Sequence, residues 1–103
     1  MKGHRYRITV EPLDAGAHSD TPFSFEAVSH DELFGIVERV RASGRWDADT
    51  AAQLAVGLKL FGEVLLQERK SELFTPLSDG PFKDFMQGFK AAMKAGPDGS
   101  AAS

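Results

Sequence analysis

A chain of 103 residues and 11.2 kDa, with 42% apolar and 26% charged residues, 10 glycines, 5 prolines and no cysteine, fits one globular domain and is too short for two. The lack of cysteine excludes disulfides, thiolate metal sites and cysteine nucleophiles, so stability rests on packing in a core that removes somewhat over about 60% of the unfolded surface from water. Twelve Lys plus Arg against fifteen Asp plus Glu leave a formal charge of −3, a global field that favours neither nucleic acid nor an acidic membrane and leaves only a local patch to do so.

The basic start, Met1 to Arg7, has no apolar stretch behind it and is not a signal peptide. The longest apolar-rich stretch, Leu54 to Leu66, is broken by Lys59 and Glu63 and falls far short of the ~20 apolar residues that span a bilayer. The expected protein is soluble and cytoplasmic.

From His4 to Val10, Tyr6, Ile8 and Val10 alternate with Arg5, Arg7 and Thr9, the period of a strand with one face on a core; Pro12 ends it. Leu13 to Asp20 reads as a long loop. Thr21 to Val28 alternates again, with Phe23, Phe25 and Ala27 on one side and Pro22 at the strand start, which completes a hairpin. Ser29-His30-Asp31-Glu32 has the form of a capping box between Ser29 and Glu32, opening a helix with Leu33, Ile36, Val37 and Val40 on its apolar face. Arg39 and Arg41 suit its last turn, and Gly44 supplies the left-handed residue after a stop near Ser43.

Asp47 or Asp49 caps a second helix expected to reach Lys70 or Glu72, with a main stripe of Leu54, Leu58, Phe61 and Leu65 flanked by Ala51, Ala55, Gly62 and Leu66. Val56, Leu60 and Val64 form a second stripe, and Lys59, Glu63, Gln67 and Lys70 a narrow wet strip. Pro76 is expected to hold Thr75 out of helical geometry, and Asp79-Gly80-Pro81 to start a third helix with Phe82, Phe85, Met86, Phe89 and Met93 on one face. The pattern predicts an α+β domain over residues 1–95, an N-terminal two-stranded antiparallel hairpin packed on three helices, with residues 96–103 a disordered tail. Eight phenylalanines in so small a chain are expected to lie mostly inside.

The segments His4-Arg5-Tyr6-Arg7-Ile8-Thr9-Val10, His30-Asp31-Glu32-Leu33-Phe34, Leu54 to Glu63 and Leu73-Phe74-Thr75-Pro76-Leu77 resemble a small bacterial domain-of-unknown-function family over about residues 4–93. The resemblance implies a shared α+β fold and a bacterial origin. It implies no activity, cofactor or catalytic residue.

The residues point to no chemistry. His4, His18 and His30 are scattered, no histidine pairs with another at helical spacing, and Asp14, Asp20, Asp47, Asp49 and Asp79 sit where capping explains them. No G-x-S-x-G, P-loop or dinucleotide fingerprint occurs, so neither enzyme activity, nor a metal, nor a cofactor is expected. Three readings of function follow. The first is a non-catalytic protein-interaction or regulatory module acting as a homodimer, its interface formed by Val56, Leu60 and Val64 with Gly57 allowing close backbone approach; burial of both stripes by the other two helices is the alternative within the same fold. The second is nucleic-acid binding by Arg5, Arg7 and Thr9, set against pairing of Arg5 or Arg7 with Glu26 or Glu11. The third is a small apolar ligand in a Phe/Met groove. Trp46 is expected to pack on the first turn of the second helix, or else to anchor a partner.

Overall fold

The alternation at the N-terminus is realised as β1 (His4–Val10), paired antiparallel with β2 (Phe23–Ser29). The register sets Tyr6 opposite Ala27, Ile8 opposite Phe25 and Val10 opposite Phe23, so the apolar residues of both strands share one face. Among the described residues four helices follow: α1 (Leu33–Ala42), α2 (Ala48–Gln67), a one-turn α3 (Thr75–Ser78) and α4 (Pro81–Ala95). The computed structural model describes residues 3–14 and 21–95; most of the expected hairpin loop and all of the expected tail lie outside the described residues. The architecture is α+β as expected, with one short helix more than the sequence pattern suggested.

Several local expectations are corrected. Ser29 is not the cap of α1: it ends β2, fully buried, and its hydroxyl accepts from the Asp31 amide at 3.2 Å. Glu32 is the cap instead, its carboxylate accepting from the amides of Phe34 and Gly35 at 2.8 and 2.9 Å. The Leu33 amide donates to the Tyr6 hydroxyl at 2.8 Å, so three of the four amides that a helix start leaves without an intrahelical partner, those of Leu33, Phe34 and Gly35, are served by side chains, and the Ile36 amide makes the first helical bond to the Glu32 carbonyl. At the other end, Gly44 takes φ 74° and Ser43 donates to the Val40 carbonyl at 2.7 Å. Asp47 caps α2 through the Thr50 amide at 2.7 Å.

α2 ends at Gln67, short of Lys70, because the Ser71 amide turns back to the Glu68 carbonyl at 2.8 Å and starts a run of turns. Thr75 is not expelled by Pro76: it opens α3, its amide donating to the Ser71 carbonyl at 3.0 Å. Pro76 lies in the first turn, where its missing N–H breaks no helical bond.

The core is small and built from small side chains. Val40, Ala51 and Ala55 are buried together, with Ile36, Val37, Trp46, Phe89 and Met93 packed around them. The buried line of α2 is therefore Ala51, Ala55 and Leu65, rotated from the expected Leu54–Leu58–Phe61–Leu65 stripe, and Phe61 is exposed. Alanines at the contact let α1 approach α2 closely, which leaves no room for rings between them. Accordingly no phenylalanine is fully buried, against expectation: Phe23, Phe25, Phe34, Phe61 and Phe85 are exposed, while Phe74, Phe82 and Phe89 are half-buried. The rings pack on one another at the periphery, Phe61 against Phe74 and Phe82, and Phe89 between Trp46 and Phe85. Trp46, just before the Asp47 cap, is half-buried and packs against the cluster of Val40, Ala51 and Ala55, on the inner side where the sequence placed it.

Two substitutions test this assignment by urea unfolding. Val40→Ala removes about two methyl groups from the fully buried position and is expected to cost about 2–3 kcal/mol. Tyr6→Phe leaves the amide of the buried Leu33 without an acceptor and is expected to cost about 1–2 kcal/mol with an unchanged m-value. A Tyr6→Phe chain as stable as the parent would show that the hydroxyl does not hold α1.

Candidate functional site

The turn from β2 into α1 carries a cluster of charge that the sequence pattern assigned to solvent. His30 meets Glu63 twice, its amide at 2.9 Å and its Nδ1 at 2.8 Å from one carboxylate oxygen, and Lys59 pairs with Asp31. Lys59 and Glu63 are one turn apart on α2, and their side chains are only 21% and 17% exposed. The expected wet strip is thus half covered at these two positions. A cue was available in the sequence, since two charges at i and i+4 on an otherwise apolar helix match an adjacent His-Asp pair, but spacing alone did not say that β2 would deliver that pair there.

Beside this turn lies a groove of about 500 Å³. Ile36 and Val40 of α1 and Met86, Phe89 and Met93 of α4 form its apolar wall, part of the Phe/Met face singled out in the sequence. Arg39, Lys59, Lys90 and Lys94 stand around it with Asp31. A second depression of about 510 Å³ at the end of α2, against Phe82 of α4, is more polar at its edge, with Arg69, Lys70, Asp79 and Lys83.

The hairpin presents the other candidate surface. At its base Tyr6 reaches α1 and Ala27 is half-buried; towards its tip the same face carries Ile8, Val10, Phe23 and Phe25, the last three exposed by 46, 60 and 44%. On the opposite face Arg5 and Arg7 both converge on Glu26, at 2.8 and 3.5 Å, and Thr9 pairs with Ser24 in the register. Both arginines are held by one carboxylate, the sheet-pairing alternative raised from the sequence. The proposed interface residues of α2 lie apart from these features: Val56 and Leu60 are half-buried, Val64 is exposed, and a Cβ on Gly57 would meet nothing within 4 Å. Among the described residues no three His, Asp or Glu side chains come together to hold a metal ion, and no helix is long and apolar enough to cross a membrane.

Residues 4–91 match the family model DUF3861, described as a domain of unknown function with a solved structure. The chain belongs to DUF3861. It is also similar to a crystal structure of a protein of unknown function from Pectobacterium atrosepticum SCRI1043, at 41% identity over 85% of this chain and 97% of that one, with a TM-score of 0.76. No curated protein matches the chain. The DUF3861 assignment agrees with the resemblance noted in the sequence and brings no activity with it.

Within this DUF3861 chain the β2–α1 turn holds two carboxyls below their ordinary range. Burial pushes the Glu63 carboxyl up, but the hydrogen bonds from the His30 ring and amide outweigh it and hold it below its ordinary 4.5. Asp31 is held below 3.8 by the hydrogen bond from Lys59, against a smaller opposing effect of burial. Both carboxyls are depressed in the folded state, so their contribution is complete above their ordinary values and is lost as pH falls through the folded ones. The urea midpoint is expected to fall as pH drops from about 5 to about 3, and Glu63→Gln to flatten that fall. An unchanged slope in Glu63→Gln would count against the His30–Glu63 contact.

Proposed function

We propose that the protein is a non-catalytic bacterial interaction module, cytoplasmic, that works as a homodimer through the outer half of its hairpin. The observation that carries this reading is the apolar face of Ile8, Val10, Phe23 and Phe25, which bears no polar side chain and extends past the helices that cover its base. An exposed face of this kind marks an interaction surface in a water-soluble chain. A second copy suits it better than an unlike partner, because an uncharged face is complementary to itself under two-fold symmetry. The opposite face, with two arginines to one glutamate, would meet its own copy with net repulsion. Two strands alone are marginal, and face-to-face packing of two hairpins would give each the apolar cover that the helices supply only at the base. The bacterial assignment is supported by the source of the similar crystal structure.

Light scattering at tens of micromolar is expected to give a mass near twice 11.2 kDa. Val10→Asp combined with Phe25→Ser is expected to yield a folded monomer, while Val64→Glu on α2 leaves the dimer intact. A parent chain that runs as a monomer would overturn the reading, and dissociation by Val64→Glu alone would move the interface to α2.

A further inference from the structure

We infer that the groove between α1 and α4 binds a medium-chain fatty acid, with the acyl chain on the apolar wall and the carboxylate at the basic rim. The wall is Ile36, Val40, Met86, Phe89 and Met93, and it offers no hydrogen-bonding side chain. A sugar or a nucleobase would need donors and acceptors there, so the body of the ligand must be apolar. Two of the five wall residues are methionines, whose unbranched thioethers adapt to a flexible chain more readily than branched side chains do.

The rim supplies the second half of the recognition. Four of the chain's twelve Lys and Arg residues stand at this one groove in a molecule whose overall charge is −3. Among the described residues Asp31 is the one carboxylate lining it, and Asp31 is paired with Lys59. Among the described residues no carboxylate forms an ion pair with Arg39, Lys90 or Lys94, Lys90 acting on Asp31 only through its field, so the groove keeps an excess of positive charge; Lys90 and Lys94 are one turn apart on the same edge of α4. An anionic end group neutralises this cluster, and a neutral or cationic one does not. The volume of about 500 Å³ lies within the ~300–1,000 Å³ range of small-molecule sites, a better match to one acyl chain than to a peptide helix.

The chain carries its own reporter. Trp46 stacks on Phe89, a wall residue, with ring centroids 6.5 Å apart, and it is the sole tryptophan. Decanoate titrated into the full chain below its micelle-forming concentration is expected to change Trp46 emission saturably at one equivalent per chain and to shift the methyl signals of Met86 and Met93. Decanol is expected to bind at least tenfold more weakly, and decyltrimethylammonium not to saturate. Lys90→Glu with Lys94→Glu, both at exposed positions, is expected to weaken decanoate at least tenfold while the free chain still unfolds in one cooperative thermal transition. The inference is overturned if decanoate moves neither the tryptophan nor the methyl signals, if decanol binds as tightly, or if the charge reversals have no effect. Saturable binding of an acidic amphipathic helix in place of decanoate would also overturn it.

Discussion

The fold depends on how β2 is joined to α1. A two-stranded hairpin is marginal in water and persists only where something packs on it, and here just its base meets the helices. In the five residues from Ser29 to Leu33 the chain passes from strand to helix, and nearly every polar group in that passage has a defined partner. The Ser29 hydroxyl takes the Asp31 amide, the Glu32 carboxylate takes two amides of the first turn, and Tyr6 reaches across from β1 to take the Leu33 amide. His30 and Asp31 then bind Glu63 and Lys59 of α2. One short segment thus ties sheet, α1 and α2 together. Loosening it would cost the burial of Ser29 and Leu33 at the same time.

The second constraint is the size of the side chains between α1 and α2. Ala51 and Ala55 allow a close approach that Val40 fills, and this leaves the core of the molecule narrow. Eight phenylalanines cannot enter such a space, so the rings gather around it and partly face water. Both interaction surfaces follow from that displacement. The outer half of the hairpin exposes an apolar face because Phe23 and Phe25 are not covered by the described helices, and the groove is apolar because Phe89, Met86 and Met93 form a ledge beside the core rather than sealing it.

Much of the fold was legible in the sequence. Period-2 alternation gave both strands and their shared face, Gly44 and Asp47 marked a helix end and a helix start, and Trp46 packs on the inner side where the sequence placed it. What was misread depended on tertiary partners. Ser29 and Glu32 fit a capping box by spacing, yet Ser29 was needed in the strand, and Glu32 alone suffices once Tyr6 serves the remaining amide. The stripe of α2 was misplaced because hydrophobicity ranks Leu54 and Phe61 above Ala51 and Ala55, whereas close helix packing selects for small size. The Phe/Met side of the groove was visible as periodicity on α4; its basic rim was not, because Arg39, Lys59, Lys90 and Lys94 come from three different helices.

That rim also bears on what net charge says about recognition. A formal −3 describes the field at a distance, where opposite charges average within a Debye length of about 8–10 Å. A ligand seated in a groove lies closer than that to the charges lining it, and its energy depends on those few rather than on the sum. In this chain the two scales have opposite signs at one place. The Arg5–Arg7–Glu26 cluster on the hairpin shows the converse, since the arginines that stand out in sequence converge on a carboxylate from the neighbouring strand. Local recognition is therefore set by which cations the fold leaves outside an ion pair, and among the described residues α4 carries two of them side by side above an apolar wall.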